Sequence, residues 1–171
     1  RESSIMFGND VSTLVEELSA LLIEKNMMMV SAESCTGGLI GAAMTDRAGS
    51  SAVYERGFIT YSNESKQELL GVRPETIDTY GAVSRECAEE MALGALKNSR
   101  ADISVSVTGI AGPDGGSDEK PIGLVYSAVA MRTNNQLFSF KVIHEGNRTT
   151  IRNKTVIYYL NETIKTLKEA K

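Results

Sequence analysis

Apolar positions follow two rhythms along the 171 residues, one helical and one strand-like. Over residues 10–25, Val11, Leu14, Val15, Leu18, Leu21 and Leu22 recur at helical spacing and predict an amphipathic helix with Asp10 as its N-cap. Residues 27–32 are mostly apolar and short, which suits a buried strand. Residues 38–48 read as a helix whose Gly41, Ala42 and Ala43 allow close approach to a sheet. Residues 53–61 are rich in β-branched and aromatic side chains and predict the next strand. Ser62 then caps a short helix over 63–70 that Gly71 closes, and Pro74 opens another over 74–79. Ser84 caps a helix over 85–98, and residues 102–108 alternate as a strand does. Residues 123–131 are almost all apolar, as in a strand covered on both faces. Asn134 and Asn135 make a hairpin turn into a strand over 136–145, where Phe138, Phe140 and Val142 share a face. A final helix covers 148–169 with Ile157, Leu160, Ile164 and Leu167 inward. The order α-β-α-β-α-α-β-β-β-α predicts a three-layer α/β/α sandwich with a mixed β-sheet. It reads as a single domain over residues 1–171 with its core at about 10–165.

Charge narrows the partners. A formal net charge of −4 argues against broad binding to nucleic acid or to anionic membrane, while leaving room for one small anion in a locally basic pocket. No apolar run approaches the roughly 18 residues of a membrane span. Residues 1–4 carry no apolar segment of signal-peptide type, so the expected location is cytoplasmic. Cys35 and Cys87 are then expected as reduced thiols, and the Asn-x-Ser/Thr triplets at Asn63, Asn147, Asn153 and Asn161 as chance matches. The single histidine, His144, excludes a His-rich metal site, and no cofactor is expected.

Chemistry concentrates in three turns that follow strands, where open α/β sheets collect ligands: residues 34–38, 60–66 and 108–116. The first, Ser34-Cys35-Thr36-Gly37-Gly38, stands between a strand and a helix. It suits either an anion held by N–H groups or acyl chemistry on a nucleophile. Ser34 is either a helix cap or that nucleophile, with neighbouring N–H groups as the oxyanion hole. There is no Gly-x-Ser-x-Gly elbow, and His144 falls on an outer strand, so a serine nucleophile needs another base. Lys66 offers one. It lies near a helix N-terminus, where the dipole disfavours its charge, and desolvation would lower its pKa further. Cys35 is a rival nucleophile without an evident base. The third turn, residues 109–116, holds four glycines and reads as a surface turn or as an anion nest with Lys120 beside it. It lacks the Gly-Lys-Ser/Thr ending of a phosphate-binding loop.

Taken together, Ala32-Glu-Ser-Cys-Thr-Gly-Gly38, Gly49-Ser-Ser-Ala52, Arg56-Gly-Phe-Ile-Thr-Tyr-Ser-Asn63 with Lys66, Gly81-Ala-Val-Ser84 and Gly109-Ile-Ala-Gly-Pro-Asp-Gly-Gly116 leading to Lys120-Pro-Ile-Gly123 resemble the CinA C-terminal domain family. The resemblance runs from about residue 10 to 165, and no counterpart of the separate N-terminal domain of full-length CinA proteins is expected within these residues. It implies an amidohydrolase that converts nicotinamide mononucleotide to nicotinate mononucleotide and ammonia without metal, working as a homodimer or larger. Ser34 and Lys66 are then the catalytic pair with Tyr61 beside them, and Thr36, Gly37 and Gly38 the oxyanion donors. Glu33, Cys35, Thr108, Gly109, Ala111, Gly112, Arg148 and Arg152 are the implied substrate-binding positions. Gly146-Asn147-Arg148 departs from the family's Gly-Asp-Arg by carrying Asn147 in place of the acid. Two other readings use the same residues: a catalytically silent nucleotide-binding module, and an amidase acting on another nucleotide or amide.

Overall fold

The computed structural model describes residues 6–170, so the expectations for residues 1–4 lie outside the described residues. The elements are α1 (Asn9–Glu24), β1 (Met29–Glu33), α2 (Leu39–Thr45), β2 (Tyr54–Ile59), α3 (Asn63–Leu70), α4 (Pro74–Tyr80), α5 (Arg85–Lys97), β3 (Ile103–Gly109), β4 (Leu124–Met131), β5 (Gln136–Ile143) and α6 (Arg148–Glu169). The five strands form one sheet in the order β2-β1-β3-β4-β5. β1 runs parallel to both β2 and β3, while β3–β4 and β4–β5 are antiparallel.

Period-two alternation sorts the side chains into two cores. Met29, Ile103, Val105, Val107, Val125 and Val129 meet α1, α2 and α6 on one face. Val30, Ala32, Ala128 and Ala130 meet α3 and α5 on the other. The expected three-layer α/β/α sandwich with a mixed sheet is therefore the observed one. On the α5 face, β3 presents hydroxyls instead of carbon. Ser104 Oγ donates to the Ala92 carbonyl (2.6 Å) and Ser106 Oγ to the Ala88 carbonyl (2.5 Å), drawing α5 close along its length. No described helix is long and apolar enough to cross a membrane.

Local signals account for most boundaries. Ser62 and Ser84 cap α3 and α5 by accepting from the Ser65 and Cys87 N–H groups, Gly71 closes α3 at φ 68°, and Pro74 opens α4. Two expectations are corrected. The N-cap of α1 is Gly8, and Asp10 sits in the first turn, where its carboxylate accepts from the Val11 N–H. The first strand starts at Met29 because the Met28 N–H is taken by the Asp102 carboxylate (2.9 Å), before ladder pairing begins.

Candidate active site

β1 leads to β2 on one side and pairs with β3 on the other, so the chain reverses direction across the sheet at the carboxyl end of β1. A crevice of about 240 Å³ opens there, and its walls include Ser34, Cys35, Tyr61, Lys66, Thr108 and Arg148. A larger groove, about 490 Å³, lies between β5 and the end of α6, where Phe138 and Phe140 face Lys165 and Glu169. It holds no nucleophile beside a base, so chemistry favours the smaller crevice.

Ser34 is the first residue beyond β1, and its N–H donates to the Val107 carbonyl of β3 (3.1 Å), which locks the serine to the sheet. Lys66 comes from the first turn and a half of α3. Helical side chains lean toward the N-terminus, so this one runs back over the start of α3 into the crevice. Its Nζ lies 3.0 Å from Ser34 Oγ, 2.6 Å from the Thr60 carbonyl and 3.4 Å from the Tyr61 carbonyl. The residue is 1% exposed, and burial holds its pKa below the ordinary value of 10.5. Desolvation is the leading cause, as expected for a lysine taken out of water. The Cys35 thiol is pushed up to about 11, chiefly by burial, which leaves it protonated and weakly nucleophilic near neutrality. Both cysteines are free and buried.

Glu33, expected at the substrate, does something else. Its side chain is buried, and its carboxylate accepts from Thr36 Oγ1 (2.6 Å), the Ile40 N–H (2.9 Å) and the Gly41 N–H (3.1 Å). The protein's own anion therefore occupies the N-terminal end of α2, and Glu33 does not line the crevice. The Ile40 and Gly41 N–H groups are thus not open to an outside anion.

Within the 34–38 turn, Gly37 and Gly38 adopt φ 58° and 104°, the left-handed region where a side chain is strained. The Gly37 N–H donates to the Ser34 carbonyl (3.0 Å), so of the three expected oxyanion donors Gly37 is already spent. The N–H groups of Thr36 and Gly38 have no backbone partner among the described residues. The same holds for the Cys35 N–H, which sequence reasoning missed. The residue after a nucleophile is a common oxyanion donor, and that rule would have found it.

The two arginines part company. Arg148, the first residue of α6, lines the crevice, donating to the Gly112 carbonyl (2.7 Å) and the Tyr61 hydroxyl (3.1 Å). Asn147 caps α6 by accepting from the Thr150 N–H, a task that asparagine performs as well as aspartate. Arg152, one turn on, does not line the crevice. Its Nε donates to the Cys35 carbonyl (3.1 Å) and its Nη2 to the Thr36 carbonyl (3.2 Å), which corrects its expected substrate contact. Gly109 and Ala111 line the crevice, whereas Gly112 stands behind it with its carbonyl on Arg148. Thr108 Oγ1 donates to the Ala82 carbonyl (2.9 Å), which sets Ala82 and Val83 as the opposite wall. Lys120 is directed away, its Nζ bonded to the Tyr80 carbonyl.

A parallel strand end carrying a buried serine–lysine pair beside N–H groups without backbone partners has the makings of a pocket for nucleophilic chemistry on a small ligand. The family description CinA C-terminal domain matches residues 11–167, and the chain belongs to that family. Among relatives, the nicotinamide-nucleotide amidohydrolase PncC of Escherichia coli strain K12 is 46% identical over 160 residues, covering 91% of this chain and 93% of that protein. A protein of Acetivibrio thermocellus described as competence-damage inducible is 52% identical over 150 residues, covering 85% of this chain. This chain spans only 36% of the length of that relative. The solved structure of the competence/damage inducible protein CihA from Agrobacterium tumefaciens superposes with a TM-score of 0.92 at 46% identity, covering 98% of this chain and 100% of that one. ComA from Klebsiella pneumoniae gives 0.91 at 36% identity, covering 95% and 100%.

Proposed function

We propose that this protein hydrolyses the carboxamide of nicotinamide mononucleotide, releasing nicotinate mononucleotide and ammonia through a Ser34–Lys66 dyad. The observation that carries the reading is the 3.0 Å contact between Ser34 Oγ and a lysine that is 1% exposed and has no carboxylate partner among the described residues. The likeness to amidohydrolases covering nine-tenths of the chain supports the substrate.

Neutral Lys66 takes the hydroxyl proton as Ser34 Oγ attacks the carboxamide carbon. The oxyanion meets the N–H groups of Cys35, Thr36 and Gly38. Collapse expels the amide nitrogen, which leaves as ammonia with the proton returned by Lys66. Water then cleaves the acyl-enzyme by the same relay, restoring Ser34 and giving the carboxylic acid. The cationic pyridinium makes the amide carbon more electrophilic, and Tyr61, at the rim, offers it a ring face worth about 0.5–2 kcal/mol. The crevice accommodates the nicotinamide end, and the phosphate extends to Arg148, the arginine on its wall. Pyridine nucleotide salvage in the cytoplasm by a homo-oligomer completes the reading.

The test is ammonia release from nicotinamide mononucleotide by the wild type and by Ser34→Ala. Turnover that survives in Ser34→Ala rejects the nucleophile. A wild type that releases no ammonia at saturating substrate favours a silent nucleotide-binding module, the reading suggested by relatives in which this domain is about a third of a longer chain. A panel of other amides separates the substrate from the dyad.

A further inference from the structure

We propose that Arg152 is a positioning residue that sets the oxyanion donors by holding the carbonyl side of the 34–38 turn. The inference rests on the Ser34–Lys66 reading above.

The turn is gripped from two sides. From the α2 end, the Glu33 carboxylate holds Thr36 Oγ1 and the first N–H groups of α2. From the α6 side, the Arg152 guanidinium reaches across 117 positions of sequence to the Cys35 carbonyl and 116 to the Thr36 carbonyl. A trans peptide is planar, with its N–H pointing opposite to its C=O. Fixing the Cys35 carbonyl on Arg152 therefore turns the Thr36 N–H to the other side of the turn. Fixing the Thr36 carbonyl orients the following peptide, whose Gly37 N–H closes on the Ser34 carbonyl. That same Ser34 carbonyl, facing Gly37, turns the Cys35 N–H away from it. One guanidinium thus grips the Cys35–Thr36 and Thr36–Gly37 peptides, the second together with the Leu39 N–H, which also donates to the Thr36 carbonyl (3.1 Å).

Its other contacts fit this task. Among the described residues no carboxylate pairs with Arg152, so its hydrogen bonds go to carbonyls. It packs against Gly37 closely enough that a Cβ there would lie 3.4 Å from Nη2. The rigid fork spans two adjacent carbonyls, which a lysine ammonium on a flexible stem does not do with the same geometry. A substrate ligand would line the crevice, and Arg148 does so where Arg152 does not.

The experiment compares wild type, Arg152→Ala and Arg152→Lys in ammonia release, with and without millimolar guanidinium ion. Phosphonofluoridate labelling of Ser34 serves as a second readout that needs no amide substrate. Loss of an oxyanion donor lowers kcat by about 10²–10³. Arg152→Ala is expected to approach that loss with KM within about threefold, to recover in part with guanidinium, and to label Ser34 at least about tenfold more slowly. Arg152→Lys is expected to fall between. A KM rise at unchanged kcat would make Arg152 a substrate ligand and overturn the proposal, as would kcat and labelling within about threefold of wild type. Loss without guanidinium recovery, accompanied by a collapsed thermal transition, also overturns it, since the role is then merely structural. If the wild type labels but does not hydrolyse nicotinamide mononucleotide, the substrate reading fails, and the labelling rates alone decide on Arg152. If it neither hydrolyses nor labels, both fail.

Discussion

Lys66 Nζ and Ser34 Oγ stand 3.0 Å apart, with the Thr60 and Tyr61 carbonyls taking up the lysine's remaining directions. A neutral amine has two N–H bonds for the two carbonyls and a lone pair for the serine O–H. An ammonium would aim its third N–H at Ser34 Oγ instead and could accept nothing. In the proposed reaction, protonation of Lys66 therefore decides whether the pair acts as base and nucleophile. Activity is expected to rise with pH through the burial-lowered pKa of Lys66 and to be lost below it. Lys66→Ala should lower kcat by about 10²–10⁴, and Lys66→Arg should give no rescue because arginine stays charged. A kcat that does not fall on the acid side, or an active arginine variant, would count against the base role.

The same lysine links stability to pH. Its folded-state pKa lies below the ordinary 10.5, so between those values the unfolded chain binds more protons and stability rises with pH. Below the folded-state value both states are protonated and the contribution is constant. Wild type should therefore gain on Lys66→Met by up to about 1.4 kcal/mol per pH unit within that window, levelling off above it. Urea unfolding at several pH values measures the difference. Parallel curves would mean that Lys66 titrates as an exposed lysine does.

Cys35 sits beside the nucleophile and is expected to be dispensable as one. With its thiol pushed up to about 11, it is protonated through the neutral range. Cys35→Ala should keep kcat within about tenfold, whereas loss of a true nucleophile costs about 10⁴ or more. Iodoacetamide should label Cys35 slowly in the folded protein and quickly after unfolding, as followed by mass spectrometry.

Gly94 sets the distance between α5 and α3. A Cβ there would run into the Leu70 carbonyl at the end of α3. Gly94→Ala is expected to destabilise by about 1–3 kcal/mol through overpacking. It should also lower kcat, because α3 carries Lys66. Calorimetry should show Tm falling by about 2–4 °C per kcal/mol for a chain of this size.

Glu33 supports the 34–38 turn from inside. Glu33→Ala leaves the buried Ile40 N–H and the half-buried Gly41 N–H without their acceptor, at about 1–3 kcal/mol for a buried orphaned donor. A lower Tm with KM little changed is expected. A selective rise in KM would return Glu33 to the substrate.

Particular residues show what was readable in advance. Ser62, Gly71, Pro74 and Ser84 mark helix ends through their own backbone chemistry, so α3, α4 and α5 were legible almost to the residue. Asp10 misled because it lies in the first turn of a helix whose cap, Gly8, makes no side-chain bond. The proximity of Ser34 and Lys66 was suggested by a turn at a strand end and a lysine in an unfavourable helical position, both local signals. Glu33 and Arg152 make bonds that the sequence did not announce, for one reason. Their partners are backbone groups whose directions exist only after folding, and Arg152 reaches its own from 116 and 117 positions away. The spent Gly37 N–H was hidden in the same way.

Arg152 also ties catalysis to the order of synthesis. Ser34, Lys66 and all three parallel strands are synthesised by Gly109, yet the clasp on the Cys35 and Thr36 carbonyls belongs to the last helix. A nascent or proteolytically shortened chain without α6 would carry a serine and a lysine but an unanchored turn between them. Such a chain would hold its nucleophile idle, and the onset of turnover would mark the moment at which the final helix docks.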